Sequence, residues 1–168
     1  MFEIIRATAD EAPALQNLMQ LYLYDMSQFS HREVDSRGLF NHEHLDRYWQ
    51  DESRAAFLAR LGGRPAGFAL VDEHSVLKGP GAGVRTIADL FVLRNHRRRG
   101  RGTHLAIEVF RRFPGRWEVR QDAGNEPAQA FWGKVIDRYT AGRFVELVLD
   151  DHRWRGPIQT FDNSLMLG

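Results

Sequence analysis

Arg97, Arg98, Arg99, Gly100, Arg101 and Gly102 stand side by side in the stretch NHRRRGRGTHL, which begins at Asn95. Four arginines and two glycines in six residues can hold phosphate, dock a nucleic acid or form a solvated loop. The flanks separate these readings. VRTIADLFVL (84–93) is an apolar, strand-like run. THLAIEVFRRF (103–113) carries Leu105, Ala106, Val109, Phe110 and Phe113 on one helical face. The stretch therefore opens a helix, where backbone N–H groups lack intrahelical partners and the dipole is positive. Glycines let an anion approach the backbone, and rim arginines add charge-assisted hydrogen bonds. Together they read as a pyrophosphate cradle.

Other cradles fit poorly. A P-loop needs Gly-Lys-Ser/Thr, and a dinucleotide fingerprint needs a third glycine where Thr103, His104 and Leu105 stand. A nucleic-acid patch spreads basic residues over a face with interleaved aromatics, whereas this cluster is compact. NHEHLD, with His42 and His44, suggests a metal at first sight. Residues two apart share a face only on a strand, and the spacing is not that of a zinc helix. These histidines are expected on the surface.

The elements that position the cradle follow from periodicity. FEIIRAT (2–8) reads as a strand. Thr8 and Glu11 have capping-box spacing, and Leu15, Leu18, Met19, Tyr22 and Met26 mark a helix over 10–26. Residues 27–52 show only a short helix near 41–49. RAAFLARL (54–61) and AGFALVDE (66–73) form a hairpin through GGRP. A loop (78–83), the strand 84–93 and the helix 103–113 follow, then a strand at 116–121. Asn125 caps a helix over 125–139 with Pro127 in its first turn. Strands at 143–150 and 157–162 close a single mixed α/β domain with helices across a sheet.

Composition sets the outer bounds. The chain has 168 residues and no cysteine, which excludes disulfides, thiolate metal sites and cysteine nucleophiles. No signal-peptide pattern opens the chain and no apolar run approaches the ~20 residues of a membrane span. The expectation is a cytoplasmic protein without membrane or nucleic-acid partners. Net charge is only +1, but it is unevenly spread. Residues 25–52 hold seven acids against three arginines, and residues 94–116 eight arginines against one acid. One segment suits a cation and the other an anion.

DLFVLRNHRRRGRGTHL resembles the cofactor motif of the GNAT superfamily of N-acetyltransferases, with Arg97, Gly100 and Gly102 filling its Arg/Gln-x-x-Gly-x-Gly/Ala pattern. NEPAQAFW resembles the family's second motif through Asn125, Ala128, Phe131 and Trp132. The resemblance covers roughly residues 2–150. It implies a GNAT-like, mostly antiparallel sheet of about seven strands, split so that its opening holds acetyl-CoA, with CoA as product. By the same resemblance the amides from Arg98 to Thr103, including Arg99 and Arg101, hold the pyrophosphate. Leu90, Phe91 and Val92 pair main chain with the pantetheine arm. The Val92 N–H polarises the thioester carbonyl. Asn125 and Phe131 complete the cofactor site.

The implied reaction is direct acetyl transfer to a primary amine. An amine of pKa ~10.4 must lose a proton before it attacks. Asp89, three residues before Val92, is the first candidate base, and Glu118 the second. The family's usual tyrosine acid is Trp132 here, and indole cannot serve. Tyr139 is a candidate substitute, alongside water or no acid. Tyr22, Tyr24, Asp25, Phe29 and Glu33 are expected to shape the acceptor site, with Trp154 at its mouth. Acidic and aromatic groups there suit a small cationic amine. Alternatives are a protein or peptide acceptor, a CoA-binding module without turnover, or a nucleic-acid binder. A homodimer is compatible with free strand edges.

Overall fold

The computed structural model describes residues 1–42 and 45–166. Glu43 and His44 lie outside the described residues, and with them half of the NHEHLD reading. Among the described residues no group of three potential ligands could hold a metal ion, and no helix is long and apolar enough to cross a membrane.

The elements alternate as expected. They are β1 (Phe2–Arg6), α1 (Ala12–Ser30), α2 (Arg47–Gln50), β2 (Ala55–Leu61), β3 (Arg64–Asp72), β4 (His74–Ser75) and β5 (Gly79–Pro80). There follow β6 (Val84–Val92), α3 (Arg101–Arg112), β7 (Arg116–Arg120), α4 (Glu126–Thr140), β8 (Val145–Asp150) and β9 (Arg155–Asp162). Seven strands form one sheet in the order β1-β2-β3-β6-β7-β9-β8. Every pairing in it is antiparallel except β6 with β7.

Helices cover both faces. On one, Leu15, Leu18, Met19 and Leu23 of α1 pack with Leu58, Phe68, Leu70 and Phe91. On the other, Leu105, Val109 and Phe110 of α3 and Val135 and Ile136 of α4 pack with Phe57, Val71, Trp117 and Phe161. The Thr8–Glu11 capping box forms, with the Glu11 carboxylate accepting from the Thr8 N–H at 2.8 Å. Helix α1 runs to Ser30, four residues past its expected end, and stops where His31 turns left-handed. The expected helix near 41–49 is a single turn at Arg47–Gln50.

Two irregularities create the site. Strands β6 and β7 pair only from Val84↔Arg116 to Thr86↔Glu118, so the sheet splits beyond them. Between β3 and β6 the register jumps from Leu70↔Asp89 to Val71↔Ile87, leaving Ala88 as a bulged residue. A bulge re-aims the side chains beyond it. Ile87 faces α3 and α4, and strict alternation would put Asp89 there too. Instead Leu90 and Val92 face that side, while Phe91 faces α1. Asp89 is thereby swung beneath α1.

Candidate active site

The split exposes main chain at chosen positions. The Leu93 N–H donates to the Ala66 carbonyl at 2.8 Å. In an antiparallel ladder alternate residues turn their N–H and C=O to the same partner. Phe91 and Leu93 therefore bond to β3, and Leu90 and Val92 point away from it, into the split. The Val92 carbonyl accepts from Arg97 Nε at 2.7 Å, leaving its N–H for a ligand. This corrects one expectation: the Phe91 backbone is committed to Phe68, and its ring packs with Tyr22 and Phe68. Phe91 shapes the site from behind.

The cradle lies at the end of β6. Gly100 adopts φ +72 and caps α3, and no side chain caps the helix in its place. The first intrahelical bond runs from His104 N–H to the Gly100 carbonyl at 2.9 Å. Arg101, Gly102 and Thr103 thus present open amides at the positive end of a twelve-residue helix. Arg98, itself left-handed at φ 61, and Arg99 are exposed beside them. Among the described residues neither forms an ion pair. The two glycines differ in role. A Cβ on Gly100 would meet open space, so its glycine serves the backbone turn. A Cβ on Gly102 would stand 3.2 Å from the Phe131 ring, so this glycine lets α3 approach α4.

Arg97 is engaged elsewhere. Its Nη2 donates to Asp25 Oδ2 at 2.5 Å, and Arg94 Nη2 donates to Asp25 Oδ1 at 2.7 Å. Burial alone would raise the Asp25 carboxyl, but the hydrogen bonds from Arg94 and Arg97 outweigh it and hold it below the ordinary range. Asp25 is buried and satisfied by the cradle loop, so it does not offer its charge to an acceptor.

A cleft of about 370 Å³ opens between α1, the free half of β6 and the segment after β7. Tyr22, Met26 and Phe29 line one wall, Ala88, Asp89 and Leu90 another, and Asn125, Trp132 and Trp154 the far side. Asp89 is half-buried and reached from the cleft. Burial pushes its carboxyl up, opposed by the Tyr22 hydroxyl, reinforced by Asp72 and opposed again by Arg32 and His42. Burial likewise raises the Tyr22 hydroxyl, and the facing Asp89 charge adds to it. A carboxyl shifted up at the edge of a cleft is suited to proton transfer near neutral pH.

Asn125 caps α4 by accepting from Ala128 N–H at 3.1 Å, and its Nδ2 turns to the Met26 sulfur at 3.7 Å. Trp154 donates to the Gln121 carbonyl at 3.0 Å and lies under the Arg120 guanidinium. The Trp132 indole N–H makes no hydrogen bond among the described residues.

Several expected residues lie away from this cleft. Glu118 is buried and accepts from the Ser75 hydroxyl, the Val76 N–H at 2.9 Å and Arg120 at 3.0 Å. With its lone pairs committed, it pins the β4–β5 hairpin to β7. Tyr139 packs between Phe110 and Phe161, its hydroxyl 3.2 Å from Asn163 Nδ2. Asn163 is bonded to Gly115, at the closed end of the split. Fourteen residues of α4 separate Tyr139 from Asn125, ~21 Å at helical rise. Tyr24 and Glu33 face outward in a shallow depression on the outer side of α1. Arg32 and Arg120 also line the cleft and were not singled out from sequence; Arg32 follows the end of α1 and Arg120 ends β7, where no periodicity marks them.

A family model described as the acetyltransferase (GNAT) family matches residues 18–136. No curated protein matches the sequence significantly. Among solved structures, the PaiA N-acetyltransferase of Thermoplasma acidophilum in complex with coenzyme A superposes with TM-score 0.67 at 11% identity, over 96% of this chain and 99% of that one. The acetyltransferase of Thermus thermophilus gives 0.64 at 21%, over 96% and 97%. The ribosomal-protein-S18-alanine N-acetyltransferase of Escherichia coli gives 0.56 at 15%, over 96% and 94%. At such identities the likeness is one of fold.

Proposed function

The chain belongs to the GNAT acetyltransferase family, and from that premise we propose that it transfers an acetyl group from acetyl-CoA to a small primary amine. One observation carries the reading. The split strand turns the Val92 N–H and the Leu90 main chain away from β3, Asp89 and Leu90 line the cleft there, and Gly102 of the uncapped α3 terminus lies beside the Val92 side chain.

The residues present fit the cosubstrate. The amides of Arg101, Gly102 and Thr103, with Arg98 and Arg99, would hold its pyrophosphate. Leu90 and Val92 would hold the amide-bearing arm as an added strand. When bound, acetyl-CoA supplies an activated acyl thioester. The Val92 N–H would stabilise the negative charge that develops on the acyl oxygen. Asp89 takes the proton that the attacking amine must lose, and the Tyr22 hydroxyl orients that carboxylate. Trp132 supplies no proton. At a thiol pKa of ~8.5 the sulfur leaves as an anion near neutral pH without one.

The cleft volume suits a small acceptor better than an extended peptide. The test combines two measurements. Acetyl-CoA at 100 times its Kd should stabilise the protein by ~2.7 kcal/mol, and an amine panel should release thiol. Stabilisation without thiol release from any small amine, peptide or protein would leave a CoA-binding module. No stabilisation at saturating acetyl-CoA would sink the reading.

A further inference from the structure

We infer that the acceptor amine carries a carboxylate on a short carbon chain and that Arg32 is the residue that selects it. This rests on acetyl transfer in the cleft described above. Of the cations that line the cleft, Arg32 is the one without an ion pair among the described residues.

Four ionisable side chains besides the tyrosine line the cleft: Arg32, Asp89, Arg120 and Asp122. Arg120 is neutralised by Glu118 at 3.0 Å, donates to the His74 carbonyl at 2.6 Å and stacks on Trp154. Asp122 turns its Oδ1 back to the Gly124 N–H at 2.8 Å, closing its own turn, and keeps its negative charge on the far side of the cleft. Asp89 is reserved for the proton of the amine. Asp25, the acid expected to attract a cation, is held by Arg94 and Arg97. Glu33 lines a separate depression with Tyr24, which Arg32 also borders, without forming an ion pair with it.

Arg32 remains. Among the described residues its one hydrogen bond is a long one, from Nη1 to the Asn41 carbonyl at 3.4 Å, and it forms no ion pair. It lies within electrostatic range of both Asp89 and Tyr22. The left-handed turn at His31 ends α1 and sends the chain back over the cleft mouth. A second positive charge on the acceptor placed beside this guanidinium would be repelled by it. A carboxylate would meet a planar fork that can bind it through two hydrogen bonds while the amine reaches Asp89.

The probes are matched amines on the CoA-loaded protein and in turnover with acetyl-CoA. Glycine, β-alanine, 4-aminobutyrate and 6-aminohexanoate are each compared with the alkylamine and the diamine of the same chain length. The preferred amino acid should exceed its alkylamine roughly 10–100-fold in affinity and in kcat/KM. In Arg32→Gln that ratio should fall to near one, and Arg32→Lys should recover part of it. Reading the ratio removes any effect of Arg32 on Asp89, which all the amines share. Diamines or alkylamines preferred across the series would overturn the proposal. So would a ratio unchanged in Arg32→Gln, or no binding of any amino acid by a protein that acetyl-CoA stabilises. Lack of stabilisation by acetyl-CoA would instead overturn the transferase reading beneath it.

Discussion

The Asp25 carboxylate of α1 accepts a hydrogen bond from Arg97 of the cradle loop at 2.5 Å. Arg97 in turn holds the Val92 carbonyl at 2.7 Å. One arginine thus fixes three parts of the site: the helix over the acceptor cleft, the loop that opens α3 and the end of the split strand.

Asp25→Asn should therefore act on stability and cofactor affinity. Losing charge-assisted bonds at a buried carboxylate costs about 1.5–3 kcal/mol. The folded-state pKa of Asp25 is depressed. Its stabilisation is present above the unfolded carboxylate value of ~3.9 and is lost as pH falls through the lower folded value. The Tm gap between wild type and variant should be full at pH 7 and narrow below pH ~4. A raised acceptor KM with unchanged Tm would show that Asp25 binds the acceptor.

Asp89→Asn separates catalysis from stability in opposite directions. Removing a general base lowers kcat/KM by about 10²–10⁴-fold. Because burial raises the Asp89 pKa, ionising it costs the folded state stability as pH rises. The variant should melt higher than wild type. The difference should grow from the unfolded value of ~3.9 up to the raised folded value and stay constant above it. In the wild type, kcat/KM should fall as pH drops through that same raised value. An unchanged pH profile in the variant would remove Asp89 from the role.

The cradle glycines should respond differently. Gly102→Ala places a methyl 3.2 Å from the Phe131 ring, so that ring or α3 must give by a few tenths of an ångström. Overpacking of this kind costs about 1–3 kcal/mol, and acetyl-CoA affinity should fall with the displaced helix terminus. Gly100→Ala meets no atoms but must hold φ +72, costing about 1 kcal/mol. Gly100→Asn, which tolerates that conformation, should recover most of the loss in a Tm series.

Tyr139→Phe tests the proposed alternative acid. The hydroxyl touches only Asn163 among the described residues, at the closed end of the sheet, so kcat should stay within about twofold of wild type. Stability should fall by the ~0.5–1.5 kcal/mol of one hydrogen bond. A loss of kcat beyond tenfold, with normal acetyl-CoA binding, would return the acid role to Tyr139.

The elements, and the Arg-Gly turn that opens α3, were legible in local sequence patterns. Strand, Arg-Gly turn and amphipathic helix are local patterns, written in hydrophobic period and in residues that tolerate a left-handed turn. Asn125 at the head of α4 and the α3 face from Leu105 to Phe110 were legible for the same reason. Long-range packing, in contrast, selects which of the chemically capable side chains meet. Glu118 and Asp89 are both strand acids beside the split, and no local signal separates them. The hairpin carrying Ser75 and Val76 satisfies one, and the bulge at Ala88 swings the other under α1. Asp25 stands in an acidic stretch, yet it is paired across 72 residues of chain with Arg97. Arg32 stands in that same stretch and, among the described residues, is left without an ion-pair partner. Pairing of charges depends on distance in space, and a sequence records only distance along the chain.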